Sequence, residues 1–181
     1  MTRRQALARA AAGGLAPLAL APAARALRLD ELRKLEREAV GGAIRGEQVA
    51  AVAFEAIANG GVLDDRTTAT MRILLDHAGR HADVLAKEFK DAYGDEPPLA
   101  PRRAEIPGLA TLRDQREALR LATRIEEQAI AAHLAAVRRT HKGGLLKLIA
   151  GAAGSDAQGL VLLRQLLGRP PVPSAFERGR S

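Results

Sequence analysis

The sequence predicts an all-α protein, and three observations lead to that fold class. Alanine, leucine, arginine and glutamate, which favour helices, dominate the 181-residue chain. The residues that favour sheets are scarce, with one tyrosine, three phenylalanines and no tryptophan. Four long segments carry apolar residues at helical spacing, and glycine or proline residues separate them. A length of this size corresponds to about one domain.

Composition also excludes several functions. The formal charge is +7, but the first 26 residues contain four arginines and no acid, so the remainder carries +3. The basic residues do not line one helix face and have no aromatic neighbours, which argues against nucleic-acid binding. The absence of cysteine excludes disulfides, thiolate metal sites and lipoprotein attachment.

Residues 1–26 have the features of an export leader. The stretch Thr2-Arg3-Arg4-Gln5-Ala6-Leu7 resembles the twin-arginine export motif. A weak apolar run over 10–20 follows, too short to span a bilayer, and Ala24-Arg25-Ala26 offers a cleavage site. We expect export by the twin-arginine route to an extracytoplasmic or periplasmic location, with no membrane span after cleavage. The alternative is a disordered arm rich in alanine and arginine.

The first two helices are predicted from their caps. Asp30 is the predicted N-cap of a segment that runs to Ala58 and stops at a glycine pair. Asp64 or Asp65 caps the second segment, which runs to Tyr93 and stops at another glycine. A short connection between the two predicts an antiparallel hairpin.

The second half repeats this layout after a long connection. Residues 95–108 contain four prolines and are predicted to cross the bundle without forming a helix. The third helix is predicted from 109 to about 140 and the fourth from about 144 to 167, followed by an irregular tail over 169–181. The domain at 27–168 is therefore predicted to be two antiparallel hairpins joined by a crossover.

Each predicted helix has an apolar seam that an acid or a histidine interrupts near the midpoint of the helix. In an antiparallel bundle these midpoints lie at similar heights, so the four side chains should meet in one core layer. Buried carboxylates are unfavourable unless they are protonated, paired or bound to metal. A mixed carboxylate and imidazole set suits iron, manganese or zinc. The predicted metal-site residues are Glu47, His81, Glu126 and Asp156.

Other interpretations of these residues stay open. The histidines, including His133 two turns after Glu126, could satisfy the acids by hydrogen bonds without metal. Acidification would then weaken the protein. If the protein binds a metal, Glu47→Ala or His81→Ala should abolish binding, and in metal-free buffer these changes would be neutral or stabilising because a buried charge is removed. Glu47 could instead reach solvent at the edge of its seam. Asp156 follows Gly154-Ser155 and could cap a helix that restarts there.

The spacing of these residues resembles the ferritin-like carboxylate proteins, which use a glutamate on two helices and Glu-x-x-His on the other two. Glu47 and Glu126 stand at the positions of the first kind. Ala78-x-x-His81 and Asp156-x-x-Gly159 correspond to the second kind, but the first lacks its glutamate and the second its histidine. The stretches that resemble the exported bacterial group of this family are residues 77–83 and 163–173.

This resemblance implies a ferritin-like four-helix bundle with a degenerate metal site. With Ala78 in place of a bridging glutamate, it implies one divalent ion (iron, manganese or zinc) instead of two, and a metal-free bundle is equally compatible. The alternatives are a scaffold for protein interactions in the cell envelope, with a protein partner or a second copy of the chain, and a metal-dependent oxidase or peroxide-scavenging enzyme. No phosphate-binding loop, dinucleotide fingerprint or nucleophile elbow is present in the sequence.

Overall fold

The computed structural model describes residues 20–173 of the chain, with side chains from residue 28. In that part the chain is entirely helical and contains no β-strand, as the composition predicts. Two short 3-10 turns, Arg103–Glu105 and Leu109–Thr111, lie in the connection between the second and third helices. The four α-helices are α1 (Leu20–Ala58), α2 (Asp65–Tyr93), α3 (Gln115–Val137) and α4 (Gly143–Leu166).

The start of α1 differs from the prediction. The helix begins at Leu20 and continues through Asp30, which is not an N-cap. Asp30 instead lies 3.7 Å from Arg33, one turn along the same helix. The reason is that the residues before Asp30 are mostly alanine, leucine and arginine, which favour helix, and Pro22 falls in the first turn, where it is tolerated. Residues 1–19 of the predicted leader, and the predicted tail beyond 173, lie outside the described residues.

The predicted caps of α2 are confirmed. The Asp64 side chain accepts a hydrogen bond from the Thr67 backbone N–H at 2.7 Å. At the other end, the Gly94 N–H donates to the Lys90 carbonyl in a left-handed C-cap. Because both ends are fixed by local hydrogen bonds, the boundaries of this helix follow from the sequence.

The start of α3 lies six residues later than predicted. Asp114 is its N-cap and accepts a hydrogen bond from the Glu117 backbone N–H at 2.8 Å. Residues Leu109–Thr111 form a 3-10 turn instead, with Leu109 buried. The apolar residues that suggested an earlier start therefore belong to the crossover and pack against the bundle.

The crossover follows α1 over several turns. Gln48 donates a hydrogen bond to the Pro98 carbonyl at 2.7 Å, and Arg45 donates to the Leu99 carbonyl. The chain thereby returns from the end of α2 to the opposite end of the bundle. There, the Gln115 side chain at the start of α3 accepts a hydrogen bond from the Asp64 N–H at 2.7 Å.

Residues 36–173 by themselves pack into one compact unit whose core has two apolar clusters. One lies toward the α1–α2 turn and includes Phe54, Met71 and Leu163. The other lies toward the α3–α4 turn and includes Phe89 and Ile149. The predicted polar positions lie between these clusters along each helix.

Helix α4 packs against α2 and α3 and buries one face, which includes Ile149, Asp156 and Leu163. Among the described residues, α4 is long and apolar enough to cross a bilayer by length and composition. The core helix of a bundle passes the same test.

Candidate metal centre

Three of the four predicted site residues converge between the two apolar clusters. The ligating atoms of Glu47, His81 and Asp156 lie within 4.8 Å of one another. The Glu47 residue is 1% exposed, so the interpretation in which it reaches solvent is wrong. Helix α4 continues without interruption through Asp156, so that residue does not cap a restarted helix.

His133 joins this group from α3. Its Nε2 atom lies 2.9 Å from Glu47 Oε1 and 3.1 Å from Asp156 Oδ2. The contact with Glu47 is a hydrogen bond, whereas that with Asp156 is an ionic contact without hydrogen-bond alignment. The prediction of a hydrogen bond from His133 across the core is therefore confirmed.

His81 approaches the same two carboxylates from α2. Its Nδ1 atom lies 2.9 Å from Glu47 Oε1 and 3.5 Å from Asp156 Oδ1. Its side chain is 22% exposed, whereas the other side chains of the cluster are buried. The cluster thus reaches solvent at the His81 ring. We call Glu47, His81, His133 and Asp156 the polar layer.

Glu126 does not join the polar layer, although the seam predicted it there. It is buried on α3, and its carboxyl occupies the space next to Gly159, where an added Cβ would overlap Glu126 Oε1 and lie 3.0 Å from Leu74 Cδ2. Glu126 has no hydrogen-bond or ion-pair partner among residues 28–173. Burial, together with the charges of Asp156 and Glu47, raises the pKa of Glu126 well above its usual range and favours the uncharged acid.

The direction in which helix side chains lean explains why His133, and not Glu126, contacts Glu47 and Asp156. Side chains in an α-helix lean toward its N-terminus. Helix α3 runs opposite to α1 and α4, so His133 leans toward the carboxylates of Glu47 and Asp156, which lean toward it. Glu126 leans away from them, toward Gly159. The sequence placed both residues on the correct seam, but only this lean decides which of them meets Glu47.

In the polar layer, contacts between the two acids and the two histidines shift the pKa values of both histidines and of Asp156. Hydrogen bonds with Asp156 and Glu47 raise the pKa of His81 to about 10. Burial alone would lower the pKa of His133, but its contacts with the same two acids prevail and raise the pKa to about 9. Burial also opposes ionisation of Asp156, yet its contacts with the two histidines lower its pKa. At pH 7 both histidines therefore favour the imidazolium form beside the ionised Asp156.

The same donor set also fits a divalent metal ion. Metal bonds to nitrogen and oxygen of about 2.0–2.2 Å place neighbouring ligand atoms about 3 Å apart. The distances from His81 Nδ1 to Glu47 Oε1 and Asp156 Oδ1 are 2.9 and 3.5 Å, and all three ligand atoms lie within 4.8 Å of one another. The other ring nitrogen of a ligating histidine normally donates to a second group. His133 Nδ1 is buried without a hydrogen-bond partner in the described part of the chain, whereas the His81 ring reaches solvent. Glu47, His81 and Asp156 are thus the better-suited ligands.

Comparison with known proteins bears on the fold alone. No protein-family model and no curated protein matches the chain. Among solved structures, the chain is similar to a conserved hypothetical protein, rv2844, from Mycobacterium tuberculosis. The two are 18% identical with a TM-score of 0.68, over 80% of this chain and 99% of that chain. This likeness shows that the helical arrangement also occurs in an experimentally solved protein.

Proposed function

We propose that the protein is a ferritin-like four-helix bundle that binds one divalent metal ion through Glu47, His81 and Asp156. One observation carries the proposal: three ligating side chains from three helices converge within 4.8 Å between the two apolar clusters of the core. Two hairpins joined by a crossover along α1 support the ferritin-like assignment. The chemistry of the donor set favours iron, manganese or zinc.

The surroundings of the site support one ion instead of two. The ferritin-like pattern would place a bridging glutamate at position 78 and a histidine at position 159. Ala78 is buried and has no ligating atom, and the Glu126 carboxyl fills the space next to Gly159. Since Glu126 favours its uncharged form there, this second position is filled by a neutral acid.

A metal-free scaffold is the second candidate, and a specific observation favours it. Both histidines make 2.9 Å contacts with Glu47 Oε1 and also lie within 3.5 Å of Asp156, so each acid has imidazole partners without an ion. A divalent ion held by Glu47, His81 and Asp156 would have to displace the proton on His81 Nδ1. The two candidates therefore differ in whether a metal competes successfully with protons at neutral pH.

Titration of metal-free protein with Zn²⁺ or Mn²⁺, followed by calorimetry, distinguishes these candidates. We expect one ion per chain, and we expect His81→Ala to weaken binding by at least about tenfold because an imidazole ligand is lost. At about 100 times the dissociation constant, the ion should add about 2.7 kcal/mol to stability.

His77→Ala is the matched control for this titration. His77 lies one turn from His81 on α2, with ring centroids 6.4 Å apart, but it is exposed and outside the polar layer. The control variant should bind metal like the wild type. A folded wild-type protein that takes up no ion, or equal losses in both variants, would favour the metal-free scaffold.

We also propose export through the twin-arginine route, on the evidence of Arg3 and Arg4 before a weak apolar run. Replacing both arginines with lysine in a fusion to an export reporter keeps the charge and removes the paired guanidinium groups. We expect the exported fraction to fall to background, measured by cell fractionation. A fusion with Arg9 and Arg25 changed to lysine is the control. Unchanged export of the Arg3/Arg4 variant would refute this route.

A further inference from the structure

A cavity of about 370 Å³ lies away from the polar layer, between α3 and the segment that follows α4. Its size is at the lower end of the range of small-molecule binding sites. Four arginines line it: Arg120 and Arg124 from α3, Arg164 from the last turn of α4, and Arg169 from the following turn. This concentration of guanidinium groups forms between separate elements, so no single helix face revealed it in the sequence.

The turn at Gly168 brings the fourth arginine to the cavity. Gly168 has a φ of +68°, which favours glycine, and its N–H donates to the Gln165 carbonyl. The Arg169 N–H donates to the Arg164 carbonyl at 2.9 Å. These two bonds form a Schellman motif, which reverses the chain at the end of α4. Arg169 is thus held in position by the backbone beside Arg164.

The floor and the rim of the cavity differ in their electrostatics. On the floor, Arg164 lies 3.4 Å from Glu127, and both side chains are 11% exposed, so this pair is neutral. On the rim, Arg120, Arg124 and Arg169 are exposed. None of these three has a hydrogen-bond or ion-pair partner within residues 28–173. Within the described part of the chain, three guanidinium groups without counterions therefore surround one cavity.

We propose that this cavity binds a small soluble molecule with a phosphate monoester group. Guanidinium groups match phosphate and carboxylate oxygens with paired, charge-assisted hydrogen bonds. A phosphate monoester carries a charge of about −1.5 to −2 and three acceptor oxygens, which suits several arginines, whereas a single carboxylate would neutralise only one. The cavity leaves space for the organic part of the ligand beside Pro170 and Pro173.

The test uses glycerol 3-phosphate as the probe, with calorimetry on the full chain in the presence of a chelator. We expect saturable binding that the double variant R120Q/R124Q weakens by about tenfold or more, because two charge-assisted contacts are lost. The control is R113Q/R116Q, which removes the same charge from exposed positions of the same region outside the cavity. The control should change affinity by less than about twofold.

Three outcomes would overturn the proposal. The first is that the wild type shows no saturable binding. The second is an equal loss of affinity in the two double variants, which would indicate diffuse charge attraction. The third is that the protein binds phosphatidic acid vesicles but not the soluble probe. The substituted arginines are exposed, so circular dichroism should confirm that both variants fold. Because the chelator removes metal, a failed metal titration at the polar layer leaves this result unaffected.

Discussion

Glu47→Ala should destabilise metal-free protein by about 3–5 kcal/mol. Glu47 Oε1 accepts from both His81 and His133, and its side chain is fully buried. Truncation would leave two imidazole rings facing a single carboxylate, next to a new cavity. The sequence alone suggested a neutral or stabilising change, because it could not show that one oxygen serves both histidines.

Chemical denaturation in the presence of a chelator measures this effect. Glu55→Ala is the control, since Glu55 lies on the same helix and is exposed, and it should change stability by less than about 0.5 kcal/mol. Glu47→Gln keeps the volume and one acceptor oxygen, so it should fall between the two. If Glu47→Ala were as stable as the wild type, the polar layer would make no net contribution to stability.

The metal-free protein should lose stability on the alkaline side, by an amount on the order of 3 kcal/mol between pH 6.5 and 10. His81 and His133 have pKa values raised from 6.5 to about 10 and about 9. Their contribution is complete below pH 6.5 and disappears as the pH rises through these folded-state values. The partial exposure of His81 reduces its share.

Two buried acids, Asp156 in the polar layer and Glu126 outside it, determine how stability depends on pH under acidic conditions. The pKa of Asp156 is lowered from 3.8, so its contribution is present above that value and is lost only as the pH falls below it. Glu126 keeps its proton in the folded protein because its pKa is raised there. As the pH rises above 4.5, the same residue loses its proton in the unfolded chain, so the unfolded state becomes relatively more favourable. The sequence predicted that acidification weakens the metal-free protein, whereas these pKa directions confine that loss to pH values below 3.8. Stability should fall with rising pH instead.

Denaturation between pH 6.5 and 10 in chelator tests this profile. The double variant H81Q/H133Q should have a flatter pH dependence, because it lacks the two titrating rings. His77→Gln, which removes an exposed ring outside the layer, should retain the slope of the wild type. A stability that is constant over this range, or that increases with pH, would contradict the protonated state of the polar layer.

The sequence predicted the fold where local chemistry determines it. Caps at Asp64 and Gly94 fix the ends of α2, and the seams identified most of the buried face of each helix. The predicted start of α1 was wrong because no residue between Leu20 and Asp30 interrupts the helix. The predicted start of α3 was wrong because apolar residues of the crossover extend the helical pattern of that segment. Both errors concern helix ends that no local capping or helix-breaking residue specifies in the way expected from the sequence.

The candidate site was predictable in residue type but not in detail. The seams selected Glu47, His81 and Asp156 because an ionisable residue on an apolar face is conspicuous. The choice between Glu126 and His133 depended on relative helix height and on the lean of side chains, which a single sequence does not reveal. The arginine cavity depends on the chain reversal at Gly168, so its members are neighbours only after folding.

The division of the core has a consequence for cooperativity. Phe54 and Phe89 belong to separate apolar clusters, and the polar layer lies between them. The two main apolar clusters are therefore separate, and we expect the two ends to loosen more independently than the ends of one continuous core. The helices and the layer are what connect the two ends energetically. We therefore expect protons or a bound ion in that layer to affect whether the bundle melts as a single unit or opens first at one end.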